Sequence, residues 1–207
     1  MIAAVMFAAS MGANAQSELY PQHFDLKEVR LLDGKHKDMM ILNAELLLKY
    51  DADRLMTPFV RQAGLDKKSG SKYYGWVSKH PSFSNWGLSS WSLEGHVGGH
   101  YGSALALAYA GLNGDANNDA LRAKLLERLN YCIDIMKDCQ DAYKNDTKGL
   151  KGFIGGQPIN QIWTGLYAND LTEFKKYGGW VPFYCQHKVL AGLRDAYLYA
   201  GSQKALE

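Results

Sequence analysis

Apolar positions recur at intervals of three and four along most of this 207-residue chain, the period of amphipathic helices, and no convincing alternating strand pattern appears. Residues 36–51 carry Met39, Met40, Leu42, Leu46, Leu47 and Tyr50 on that spacing, which predicts a helix buried along this stripe. Asp51 opens a second, short helix that Pro58 is expected to interrupt and Gly64 to close. A third runs from about Glu94 to Leu112. Residues 119–143 give the strongest pattern, with Leu121, Leu125, Leu129, Cys132, Ile133 and Met136 tracing one stripe. A shorter piece is expected over 159–167. Residues 180–201 follow, with Pro182 suited to a first helical turn and Gly201 to a C-terminal cap. The expected class is all-α. After Gly201, Ser202 and the helix formers of "KALE" begin one more helix as the sequence stops, so the chain is expected to be truncated.

Composition supports a sizeable buried core, with 47% apolar and 21% charged residues. A net charge of +2, from 23 basic and 21 acidic residues spread along the chain, excludes a polybasic footprint, so neither nucleic acid nor an anionic membrane surface is an expected partner. Residues 1–15 have the apolar core and A-x-A ending of a signal peptide, too short to span a bilayer. A secreted or periplasmic domain is then expected over residues 16–207. Cys132, Cys139 and Cys185 make no disulfide framework, and Cys132 and Cys139, seven apart on one helix, read as buried apolar residues.

Residues 65–93 have no sustained period yet hold Tyr73, Tyr74, Trp76, Phe83, Trp86 and Trp91 among serines, glycines and lysines. Aromatic rings on a long loop point to a binding surface, and flat rings with a polar edge suit the faces of sugars. Beyond the loop, four-residue spacing sets His96 and His100 one turn apart on one side of a helix. "HVGGH" lacks the internal Glu of the zinc-protease pattern, and a metal needs further ligands. Gly98 and Gly99 each cost a helix about 1 kcal/mol relative to Ala, so something must approach that backbone closely. A partner helix is one candidate. The favoured reading is a polar ligand pocket at the helix N-terminus, with Glu94 nearby. His187 lies two residues from Cys185, about 200° around a helix, so the two do not form a nucleophile pair within it. No phosphate-binding loop, dinucleotide fingerprint, serine-hydrolase elbow or CxxC is present.

"LEGHVGGHYGSALALAYAG", "DADRLMTPFVRQAGL" and "GGWVPFYCQHKVLAGLRDAYLYAG" together resemble the amino-terminal part of the bacterial β-L-arabinofuranosidase-like glycoside hydrolases, families 127 and 146. The order of "VRLLDG", the GHxGGHY helix, Cys139–Gln140, "GFIGG" and "WVPFY" agrees. The resemblance implies an (α/α)6 barrel and an exported enzyme that removes terminal β-L-arabinofuranosides with retention. Its partner would be an arabinose-containing oligosaccharide or polysaccharide. It also implies a Cys thiolate nucleophile in a zinc site of Cys and Glu ligands, with a separate Glu as acid/base. All of these belong to the later half of the barrel. No catalytic residue, metal ligand or bound cofactor is therefore expected among residues 1–207. What carries over is substrate binding, with His187 the best match, His96 and His100 next, and Trp76 and Trp91 from the aromatic loop. A non-catalytic carbohydrate-binding α-domain, or another α/α-barrel sugar hydrolase or lyase, stands as the alternative.

Overall fold

The computed structural model describes residues 24–83, 93–157, 160–172, 174 and 181–207. The expected signal peptide, Trp86 and Trp91 lie outside the described residues. Eight α-helices are described: α1 (Lys35–Lys49), α2 (Ala52–Gln62), α3 (Trp76–Lys79), α4 (His96–Gly111), α5 (Asp119–Asp141), α6 (Asn160–Tyr167), α7 (Pro182–Ala200) and α8 (Gln203–Leu206). Among the described residues there is no strand, and no helix is long and apolar enough to cross a membrane. The all-α expectation holds.

α5 is the backbone of the assembly. Its stripe of Leu125, Leu129, Cys132, Ile133 and Met136 is buried as the periodicity predicts, each large side chain contributing about 1.5–3 kcal/mol relative to exposure. α1 and α2 succeed one another along it. Arg128 donates to the Tyr50 carbonyl between them (2.8 Å), Tyr131 donates to Asp53 at the start of α2, and Tyr143 donates to the Gln62 carbonyl at its end (2.6 Å). α4 returns antiparallel to α5, with Arg122 bonded to the Tyr109 carbonyl at one end and Arg128 to Tyr101 at the other.

Two local expectations are corrected. Pro58 does not interrupt the second helix, since α2 runs through it from an Asp51 cap whose carboxylate accepts the Arg54 N–H (3.2 Å). Pro58 is buried, and packing of the helix face outweighs the lost backbone hydrogen bond. In α1 the buried face is shifted from the expected stripe. Ala44 and Leu47 are buried with Met40, Ile41 and Leu48 beside them, whereas Met39, Leu42, Leu46 and Tyr50 are exposed. The small Ala44 marks where the helix comes closest to the core, a position that a scan for large apolar residues overlooks.

α4 and α7 lie side by side and run the same way: His96 is beside Tyr184, and Gly102 is beside Gly192. A Cβ on Gly99 would stand 2.1 Å from the Lys188 carbonyl oxygen, so the two backbones touch. The close approach inferred from the glycine doublet is real, but its cause is a partner helix and the core rather than a ligand. Gly98 faces Phe59 and Met56, and Gly99 faces α7.

Candidate functional site

Because α4 and α7 are parallel and in backbone contact, their N-terminal turns end at the same level. That brings together side chains that are far apart in sequence. The His96 and His100 rings meet edge to face with centroids 6.0 Å apart, and the Tyr184 ring lies 5.7 Å from His96. His100 Nε2 is 3.5 Å from the Tyr184 hydroxyl, and Lys188 Nζ lies 5.3 Å from the centre of the Tyr184 ring. His187 follows Tyr184 by three residues on α7, so the two lie on neighbouring positions of one helix face. His100 and His187 are exposed and His96 is half-buried. The three histidines thus lie within the first two turns of two helices in backbone contact.

His100 is held below the ordinary imidazole pKa of 6.5, first by desolvation and then by the Lys188, His96 and His187 charges. A histidine depressed in the folded state stabilises the fold above the unfolded value and loses that contribution as pH falls through the folded value. Replacing Lys188 by methionine is expected to move the His100 titration upward in an NMR pH series. An unchanged midpoint would show that the ammonium does not act on the ring.

A buried ion pair supports this face. The Glu94 carboxylate, fully enclosed, pairs with the Arg61 guanidinium of α2 and accepts from the Ser82 hydroxyl (2.7 Å). Gly95, which caps α4 with φ +91°, is wedged against Gly156; its Cβ would stand 2.8 Å from the Gly156 nitrogen. His96 closes the arrangement, its Nδ1 meeting the Leu93 carbonyl. It also lines a recess of about 50 Å³ with Pro58, Leu93 and Glu94.

The Tyr73, Trp76 and Phe83 rings of the aromatic loop are held by the helices beneath them. Trp76 donates its indole N–H to the Asp53 carbonyl (3.2 Å) and the Thr57 hydroxyl (3.1 Å), and Tyr73 donates to Asp138 (2.6 Å). Phe83 lies under the Arg54 guanidinium at 3.8 Å. These rings fasten the loop to α2 and α5. Trp76 is not among the side chains brought to the histidine face, and Trp91 lies outside the described residues.

The three thiols are buried and unpaired. Burial pushes Cys185 up to about 11 and Cys132 up to about 12, and it raises Cys139 well above the usual thiol range. None is poised as a thiolate nucleophile. Iodoacetamide at pH 8 is expected to leave all three unmodified in the native chain and to alkylate all three in denaturant, as read by intact mass. Rapid native labelling of any one would contradict this burial.

Among the described residues, the side chains that could together hold a metal are Asp51, Asp53 and His80, with ligand atoms within 4.8 Å of one another. Each is already engaged: Asp51 caps α2, Asp53 accepts from Tyr131, and His80 Nδ1 is 3.5 Å from Asp53. No thiol belongs to the group. The described cysteines and glutamates therefore do not fit the Cys and Glu zinc site that the resemblance implies.

Helical spacing places the His96–His100 pair with Glu94 nearby, but nothing in the spacing joins that pair to Tyr184 and Lys188 on α7. Arg61 is missed as well, because a single arginine 33 positions before its partner leaves no periodic trace. Over residues 28–207 the chain matches the family described as "Beta-L-arabinofuranosidase, GH127 catalytic domain". No curated protein matches it.

Proposed function

The chain belongs to the family 127 glycoside hydrolase catalytic domains, and from that premise we propose that its histidine face binds the terminal β-L-arabinofuranosyl residue of an exported enzyme's glycan substrate. The observation that carries this reading is the convergence of His96, His100, Tyr184, His187 and Lys188 at the paired N-termini of α4 and α7. A furanose presents hydroxyls that both donate and accept. Neutral imidazoles and a phenol do the same, and a lysine adds a donor. His187 and His100, both exposed, are the outermost groups proposed to reach the sugar, with the half-buried His96 beside them.

The same geometry bears on catalysis. Glu94 is tied to Arg61 and Ser82, and the three thiols are buried in protonated form at neutral pH. The described residues therefore favour recognition rather than bond cleavage. This chain by itself is expected to bind without turnover, the attacking thiolate and acid/base carboxylate being supplied elsewhere in the enzyme. The leader-like residues 1–15 support export.

Calorimetry of the whole chain with arabinofuranosyl oligosaccharides tests the reading. His187→Ala and His100→Ala are each expected to weaken binding at least tenfold, the scale of one well-formed hydrogen bond, with the far-UV spectrum unchanged. Equal affinity in both variants would remove the histidine face as the glycan site. Hydrolysis of an aryl β-L-arabinofuranoside by this chain would overturn the division between recognition and cleavage.

A further inference from the structure

The inference rests on the glycan reading above and concerns how one ring of that face is set. The Leu93 carbonyl accepts twice from His96, once from its main-chain N–H at 3.3 Å and once from ring Nδ1. A carbonyl oxygen has no hydrogen to give, so Nδ1 must carry the proton. In the neutral ring Nε2 is then left with its lone pair, turned away from Leu93.

That carbonyl is held on its C-terminal side. The next residue, Glu94, is enclosed and clamped between the Arg61 guanidinium of α2 and the Ser82 hydroxyl. The residue after it, Gly95, has main-chain atoms against Gly156. An enclosed ion pair of this kind holds the Glu94 carboxylate against α2, because neither charge can be separated from the other without a large desolvation cost.

We propose that the buried Arg61–Glu94 pair is a positioning device that, through the Leu93 carbonyl, holds His96 as the Nδ1–H tautomer and so presents Nε2 as a hydrogen-bond acceptor for a sugar hydroxyl. Arg61 and Glu94 touch no sugar themselves. Their effect is to make one ring of the face an obligate acceptor, so that the site selects a ligand with a donor hydroxyl at that point.

The test is ¹⁵N NMR on the whole, uniformly labelled chain, with the His96 ring signals assigned by their loss in His96→Gln. In the unaltered chain at pH 8 the shifts are expected to show a protonated Nδ1 and an unprotonated Nε2. The double variant Arg61→Met/Glu94→Leu replaces the pair by apolar side chains of similar bulk, an exchange that buried pairs tolerate. It is expected to fold, to show a mixture of His96 tautomers, and to bind arabinofuranosyl oligosaccharide roughly tenfold more weakly. An Nε2–H tautomer in the unaltered chain overturns the proposal, as does an unshifted tautomer in the folded double variant. Should the double variant fail to fold, Arg61→Lys keeps the charge but loses the planar fork that fixes Glu94, and the same tautomer readout applies, an unshifted tautomer again overturning the proposal. The tautomer is read without sugar, so its outcome is separate from that of the His187→Ala calorimetry.

Discussion

Replacing Gly99 by alanine is expected to lower the free energy of unfolding by at least about 3 kcal/mol, a large share of the total stability of an ordinary domain. The added methyl would stand 2.1 Å from the Lys188 carbonyl oxygen, 2.3 Å from its carbon and 2.6 Å from the Val189 nitrogen, all main-chain atoms that no rotamer change can move. α4 and α7 would have to separate, and the histidine face would come apart with them. Gly102 on the same helix is the control. A Cβ there meets Gly192 at 3.6 Å, ordinary contact, so Gly102→Ala is expected to be neutral or to gain up to about 1 kcal/mol from helix propensity. Urea unfolding followed by circular dichroism separates the two. Equal midpoints for Gly99→Ala and Gly102→Ala would mean that the helix crossing is looser than described.

The second large effect is electrostatic. Arg61→Ala leaves the fully enclosed Glu94 carboxylate without its cation, and breaking one side of a buried pair costs about 3–5 kcal/mol. The Ser82 hydroxyl, which remains, offers one hydrogen bond against a full charge. Removing both charges together is a different perturbation. Arg61→Met/Glu94→Leu is expected to unfold near the parent midpoint, because the desolvation penalty disappears with the attraction. A single variant as stable as the double would show that solvent reaches Glu94 once Arg61 is gone. Thermal and denaturant midpoints across the three variants decide between these outcomes.

How much of this was legible in the chain depends on the range over which each force acts. α5 was readable because its large apolar residues repeat over many turns and all of them pack. α1 was misread because its contact point is Ala44, whose size rather than its hydrophobicity brings the helices together. At Pro58 the local rule that proline breaks a helix gives way to packing of the helix face. The glycine doublet was read correctly as a close approach but assigned to a ligand. The helix that does approach lies about 90 residues further on, and no local period links the two. Of the site, the His96–His100 pair follows from helical spacing alone, whereas His187 came from the family resemblance. The bonds of the Trp76 N–H to α2 leave no trace in the sequence, because a loop position does not reveal its partner.

The seam between α4 and α7 also sets a schedule for synthesis. A ribosome adding about 5–20 residues per second produces Gly192 roughly 5–20 s after Gly99. Throughout that interval α4, with Gly99 turned outward, has only earlier helices and α5 to rest on. A nascent chain stalled before Gly192 would display that strip to chaperones and proteases. The arrival of α7 is thus also the latch that ends the exposure of this strip of α4 to the quality-control machinery of the cell.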